Sequence, residues 1–194
     1  MTANLNTRPG PFARICGALL RLFGWRVILV RPPLPKALVI VYPHTSNWDF
    51  VVGILARSAI AIPIGFVGKD TLFRPPFGRL FRALGGIPVN RRQRTGFVDG
   101  LVEAFGTTGR LYLAIAPEGT RSKIDHWKSG FYRVALAAGV PLGLAFIDYS
   151  RREIGIEHWL TLSGDEAADL ARIRACYADK RGKRPGQEGE IRFR

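Results

Sequence analysis

The sequence contains few residues of the kinds that bind metals or form disulfides. Its 194 residues include two cysteines and three histidines. Cys16 and Cys176 lie far apart and form no CxxC pair, which argues against a disulfide framework or a zinc site and favours a cytoplasmic location with reduced thiols. No run of about 18 uncharged apolar residues occurs, so the sequence predicts no membrane span. The first residues also lack the layout of a cleaved signal peptide.

Acidic residues are scarce as well. There are 15 Asp and Glu against 29 Lys and Arg, which gives a formal net charge of +14. This excess favours anionic partners: nucleic acid, an anionic membrane surface, or phosphorylated and CoA-like substrates. The basic residues match no recognised nucleic-acid-binding motif, so a nucleic-acid-binding protein is the remotest of these interpretations. A hydrophobic content of 47% excludes a disordered chain.

Short β-rich runs alternate with helical patterns along the chain. The predicted strands include KALVIVY (36–42), IGFVGK (64–69), RLYLAIA (110–116) and PLGLAFIDYS (141–150). Helical patterns lie between them, including DFVVGILARSAIA (49–61) and SGFYRVALAAG (129–139). This alternation predicts a single α/β domain with a largely parallel or mixed sheet flanked by helices. Chemistry in such folds collects in loops beyond the carboxyl ends of the strands.

The chain divides into three predicted segments. Residues 1–35 are expected to form an amphipathic, membrane-associating segment, 36–163 the core, and 164–194 a helix with a basic tail. Within 12–30, apolar residues recur at helical spacing with arginines between them. This pattern is typical of a helix lying on a bilayer, but also of a helix packed on the core with its arginines in water. The tail carries four basic residues between 180 and 184.

The loop PHTSNWD carries the first candidate for chemistry. His44 and Asp49 would diverge by about 140° on one ideal helix. With His44 on the turn and Asp49 in the first turn of the next helix, they can face each other. The carboxylate would then fix the imidazole tautomer and leave Nε2 as a general base. The alternative is that both residues have structural roles, the histidine at a strand end and the aspartate as a helix N-cap. His126 and His158 lack this spacing and are interpreted as structural.

Two further loops carry polar residues after predicted strands. APEGTRS places a glycine between an acid and a cation, with Thr120, Arg121 and Ser122 able to donate to phosphate oxygens. GGIPVNRR places arginines after a short strand. Taken alone, the first loop is better explained as an ordinary turn with a surface Glu–Arg pair, and the second as a solvated basic loop.

Together the three blocks resemble those of the glycerolipid acyltransferase family, the 1-acyl-sn-glycerol-3-phosphate acyltransferases and their relatives. PHTSNWD is similar to the family's H-x4-D block, GGIPVNR to its second block and APEGTRS to its third, which usually reads FPEGTRS. The resemblance implies that His44 and Asp49 are the catalytic pair. It also implies a substrate-binding set, which consists of Gly85, Arg91, Glu118, Gly119, Thr120 and Arg121.

The resemblance implies acyl transfer from acyl-CoA or acyl carrier protein to the hydroxyl of a lysophospholipid, most directly 1-acyl-sn-glycerol-3-phosphate. No metal or cofactor is expected, and the enzyme is expected on the cytoplasmic face of an anionic membrane as a peripheral protein. Pro43 precedes the histidine and Ala116 replaces the usual phenylalanine, and the fourth block survives only as VPLGLA. These departures leave a lyso-aminolipid or glycolipid acceptor as the alternative.

Overall fold

The computed structural model describes residues 10–89 and 96–194, and these form one sheet with helices on both faces. The strands are β1 (Arg26–Leu29), β2 (Lys36–Tyr42), β3 (Ile64–Lys69), β4 (Gly86–Val89), β5 (Leu111–Ile115), β6 (Leu142–Asp148) and β7 (Glu153–Leu160). The helices are α1 (Pro11–Leu22), α2 (Trp48–Ile60), α3 (Gly78–Ala83), α4 (Phe97–Thr107), α5 (Gly130–Ala138) and α6 (Glu166–Tyr177). A short 3₁₀ turn, Asp70–Phe73, follows β3.

The sheet is mixed, with the strand order β1-β7-β6-β2-β5-β3-β4. Neighbouring strands are parallel except β6 and β7, which form an antiparallel pair. Ile40 pairs with Ile115 and Tyr42 with Phe146, so β2, β5 and β6 reach their carboxyl ends at the same edge. The predicted α/β domain with a mixed sheet is confirmed.

The central strand β2 alternates between two buried faces, as expected for a strand covered on both sides. Leu38 and Ile40 pack into the larger core cluster, to which α4, α5 and α6 contribute. Ala37 and Val39 point to the opposite face, where a second cluster forms against residues of β3, β5 and β7. Each of these four side chains is at most 1% exposed. The packing on both faces places the sheet in the middle of the domain and fixes the position of the loop that follows β2.

The N-terminal segment is part helix and part strand. The helical pattern predicted across 12–30 ends at Leu22, where Gly24 turns the chain with a φ of +75°. Residues Arg26–Leu29 then extend the sheet as β1, parallel to β7. The interpretation of 12–30 as one helix is therefore wrong in its second half, because the apolar residues there belong to strand β1. No helix in the described residues combines the length and apolarity needed to cross a bilayer.

Candidate active site

Three loops that carry polar side chains meet at the carboxyl edge of the sheet. The loop after β2 contains His44, the loop after β5 contains Glu118, and the turn after β6 contains Tyr149. β4 ends at the same edge, and it is followed by residues 90–95, which lie outside the described ranges. This edge is where parallel strands present their functional loops.

His44 and Asp49 form a close pair. His44 precedes α2 and Asp49 is the second residue of that helix, which brings Nδ1 of the imidazole to 3.2 Å from Oδ2 of the carboxylate. Asp49 is 2% exposed, and its Oδ2 also accepts the Ser46 backbone N–H at 2.8 Å. Because the pairing uses Nδ1, Nε2 is the nitrogen turned away from the carboxylate. The geometry is that of an imidazole oriented as a general base.

Glu118 connects the His44 loop to the end of the chain. It is 1% exposed, and its Oε2 accepts the backbone N–H of His44 at 2.8 Å. Its Oε1 accepts the backbone N–H of Gly189, also at 2.8 Å. Burial raises the pKa of Glu118 to about 7, although the two N–H donors act in the opposite direction. Both carboxylate oxygens are thus engaged with backbone, and the carboxylate fixes the loop that carries the imidazole.

Tyr149 approaches Asp49 from the other side. Its hydroxyl donates to Oδ1 of Asp49 at 2.8 Å, while His44 and Ser46 contact Oδ2. Burial, and the hydrogen bond to the Asp49 carboxylate, raise the pKa of Tyr149 above its ordinary value. The hydroxyl therefore remains a donor throughout the neutral pH range. Sequence reasoning missed Tyr149, although its place at the end of a predicted parallel strand puts it at the same edge.

The end of the chain folds over these loops. We call residues 181–193 the C-terminal strap. The Tyr149 backbone N–H donates to the carbonyl of Arg181 at 2.9 Å, and the Arg184 N–H donates to Oγ1 of Thr45 at 3.2 Å. The hydroxyl of Tyr42 donates to the carbonyl of Gly189 at 3.1 Å. The strap thus contacts the loops after β2, β5 and β6.

Two glycines allow the strap to lie this close. A Cβ at Gly182 would be 2.7 Å from Oγ1 of Thr45, and a Cβ at Gly189 would be 2.6 Å from Cγ1 of Ile124. Any other residue at either position would push the strap outward. Further along, the carbonyl of Arg192 accepts the backbone N–H of Trp127 at 2.8 Å, which attaches the end of the strap to the core.

The basic tail is partly internal. Lys180 is 7% exposed, and its Nζ lies 2.8 Å from Glu157 and 4.1 Å from the centre of the Phe146 ring. Lys183 instead places its Nζ 4.9 Å from the centre of the Trp48 ring, at the start of α2. Of the four basic residues at 180–184, Lys180 is therefore buried in an ion pair and is not part of the basic surface.

The predicted substrate-binding residues are only partly brought together. Gly119 follows Glu118 with a φ of +65°, and Thr120 and the exposed Arg121 continue the same turn. Gly85 precedes the amino end of β4, at the opposite edge, where its carbonyl accepts the Phe66 N–H at 3.1 Å. Gly85 is therefore not among the residues that meet at the His44 edge. Arg91 lies outside the described residues.

Across residues 10–89 and 96–194 there is no group of three or more His, Cys, Asp or Glu side chains arranged to hold a metal ion. The groups that this site offers are an imidazole oriented by Asp49 and the buried carboxyl groups of Asp49 and Glu118. Such groups can remove a proton from a hydroxyl and return it to a leaving group.

Comparison with known proteins places these residues in a family context. The Acyltransferase family model matches residues 30–143. The 1-acyl-sn-glycerol-3-phosphate acyltransferase of Escherichia coli is 31% identical in an alignment of 141 residues that covers 68% of this chain and 56% of that protein. The protein of the same name from Haemophilus influenzae is 27% identical in an alignment of 158 residues that covers 77% of this chain and 65% of that protein. The chain thus spans less than two thirds of the length of each relative.

The fold has a counterpart among solved structures. The crystal structure of the 1-acyl-sn-glycerophosphate (LPA) acyltransferase PlsC from Thermotoga maritima superposes with a TM-score of 0.59 at 17% identity. The similarity covers 85% of this chain and 74% of that one. At this identity the likeness concerns the fold. The family match covers more than half of the chain and all three sequence blocks, so the chain belongs to the Acyltransferase family.

Proposed function

We propose that the chain transfers an acyl group from an acyl thioester to the free hydroxyl of a lysophospholipid. The acceptor in this proposal is 1-acyl-sn-glycerol-3-phosphate, and the product is phosphatidic acid. The observation that carries the proposal is the pairing of His44 with the buried Asp49 at the carboxyl edge of the sheet. The names of the two bacterial relatives support the choice of acceptor.

In this mechanism His44 is the general base. Its Nε2 takes the proton from the acceptor hydroxyl as the hydroxyl oxygen attacks the thioester carbonyl. The tetrahedral intermediate then collapses, the C–S bond breaks, and the imidazolium returns the proton to the departing thiolate. Asp49 stabilises the imidazolium that forms in between, and Glu118 fixes the backbone of the histidine. No acyl-enzyme forms in this scheme.

The acceptor phosphate would be held by Arg91 and Arg121, with the turn Glu118–Gly119–Thr120 shaping the site. Guanidinium groups suit this task because they bind phosphate oxygens in pairs. The donor is acyl-CoA or acyl carrier protein, and the phosphates of the former and the acidic surface of the latter both complement a net charge of +14. No cofactor takes part in the proposed reaction.

The enzyme is proposed to bind the cytoplasmic face of the membrane as a peripheral protein. Several apolar side chains of the α1 region face solvent, with Phe12, Leu22 and Phe23 each more than 60% exposed. Arg14 and Arg21 line an adjacent open groove of about 660 Å³. Basic groups near an anionic surface contribute about 1 kcal/mol each. We expect the protein to sediment with anionic vesicles at low salt and to be released at high salt; failure to sediment would contradict this attachment.

Thiol release from palmitoyl-CoA with lysophosphatidic acid in mixed micelles tests the reaction. Loss of the general base in His44→Ala should lower turnover by about 10²- to 10⁴-fold. His158→Ala is the matched control, because His158 lies on β7 with an exposed side chain. Turnover of the His44 variant close to that of the wild type would refute the assignment.

An acceptor panel separates the proposal from its alternative. A lyso-aminolipid or glycolipid acceptor lacks the phosphate of lysophosphatidate, so its use should not depend on both Arg91 and Arg121. Release that requires lysophosphatidate and falls in Arg121→Ala supports the proposal. Release with a phosphate-free acceptor, unaffected by that substitution, favours the alternative. Salt-sensitive DNA binding without any acyl transfer would instead support a nucleic-acid-binding protein.

A further inference from the structure

We propose that Tyr149 is a positioning residue for acyl transfer, which fixes the Asp49 carboxylate and through it the imidazole of His44. The inference rests on the proposed function. Tyr149 lies beyond residues 30–143, where the family model matches, and its hydroxyl meets Asp49 on the oxygen opposite to the one that faces His44.

The Asp49 carboxylate needs support on both of its oxygens. A carboxylate turns easily about its Cβ–Cγ bond, so one contact alone does not set its plane. Here Oδ2 accepts the Ser46 N–H and faces Nδ1 of His44, while Oδ1 accepts the Tyr149 hydroxyl. Contacts on the two oxygens together fix the plane of the carboxylate. The imidazole orientation depends on that plane, because Nδ1 follows the position of Oδ2.

Tyr149 is held independently of the aspartate that it supports. Its ring meets the ring of Trp25 edge-on, with centres 5.0 Å apart. Its backbone N–H donates to the carbonyl of Arg181, and it directly follows β6, which pairs with β2. These contacts hold the tyrosine in place independently of Asp49. Its hydroxyl therefore fixes the position of the carboxylate, whereas a mobile tyrosine would follow the carboxylate.

The test compares Tyr149→Phe with a matched tyrosine. The hydroxyl of Tyr132 donates to Oδ2 of Asp169 at 2.9 Å, a buried tyrosine–aspartate bond between α5 and α6, outside the proposed site. Tyr149→Phe should lower kcat by roughly ten- to a hundred-fold, from the loss of a hydrogen bond to a charged group, with KM for both substrates unchanged. Tyr132→Phe should lower thermal stability about as much as Tyr149→Phe does, because each variant loses one buried hydrogen bond to an aspartate. It should leave kcat unchanged.

Two further measurements separate positioning from structure. The NMR signals of the His44 ring, which report its surroundings, should shift in Tyr149→Phe and stay in place in Tyr132→Phe. In an Asp49→Asn background the Tyr149 substitution should cost little further kcat, because it acts through the carboxylate. Wild-type kcat and unchanged His44 ring signals in Tyr149→Phe would overturn the inference. The NMR measurement does not require turnover, so it remains informative if the wild type transfers no acyl group and the proposed function fails.

Discussion

Adding one methyl group at Gly189 should break the contact between the C-terminal strap and Glu118. A Cβ there would lie 2.6 Å from Cγ1 of Ile124 and 3.3 Å from Oε1 of Glu118, whereas carbon atoms prefer about 3.5–4.0 Å. The strap must therefore shift by about 1 Å. Such a shift stretches the 2.8 Å bond from the Gly189 N–H to Glu118 beyond hydrogen-bond range.

The expected cost follows from two terms. Overpacking of this kind costs about 1–3 kcal/mol, and a buried acceptor left without its donor costs a similar amount. Because the strap can relax outward, the two terms should not add in full. We expect Gly189→Ala to lower the free energy of unfolding by about 2–4 kcal/mol. Turnover should fall as well, because Glu118 then holds the His44 loop less firmly.

Urea unfolding and thiol release measure the two effects, and two further variants test the cause. Ile124→Ala removes the atom nearest to the added methyl, so the double variant should recover part of the turnover lost in Gly189→Ala. Gly100→Ala, on the exposed side of α4 with nothing within 4 Å, should stabilise the protein by up to about 1 kcal/mol. A Gly189→Ala protein as stable and active as the wild type would refute the reasoning, and absence of rescue would refute the steric cause.

Two other predictions concern pH and helix capping. Burial raises the pKa of Glu118 from about 4.5 to about 7, so the folded protein binds its proton more tightly than the unfolded chain does. The resulting contribution to the free energy of unfolding is on the order of 3 kcal/mol. It is complete below pH 4.5 and is lost as the pH rises to about 7. Glu118→Gln should abolish this slope in urea unfolding at successive pH values, and an unchanged slope would contradict it. Asp165 caps α6 by accepting the Ala168 N–H at 3.0 Å, and Asp165→Ala should therefore cost about 1 kcal/mol in thermal unfolding.

The regular elements of the core could be predicted because their signals are local. The run IGFVGK is strand β3 and KALVIVY is strand β2, with the predicted bounds. The proximity of His44 and Asp49 also followed from their spacing across a strand end and the first turn of a helix. Each of these predictions depends on residues within a few positions of one another.

The support of the pair could not be predicted, because it depends on distant contacts. Gly189 is 71 residues from Glu118 in the sequence, and Tyr149 is 100 residues from Asp49. No periodicity or motif marks either partner, although the register of β6 beside β2 places Tyr149 once the sheet order is known. Residues 26–29 were assigned to the wrong kind of element for the same reason, since their pairing with β7 is also distant.

The position of the strap has a consequence for the order of events during protein synthesis. Chains begin to fold from the N-terminal side as they emerge, and contacts between distant residues form late. The sheet is complete once β7 has been made. Gly189, whose carbonyl accepts the Tyr42 hydroxyl, is made later still, because it lies 147 residues after Tyr42 in the chain. Until residue 189 has been made, Oε1 of Glu118 and the hydroxyl of Tyr42 lack the partners that the complete chain gives them. The loop that carries His44 therefore gains its last support only when the final residues of the chain are in place.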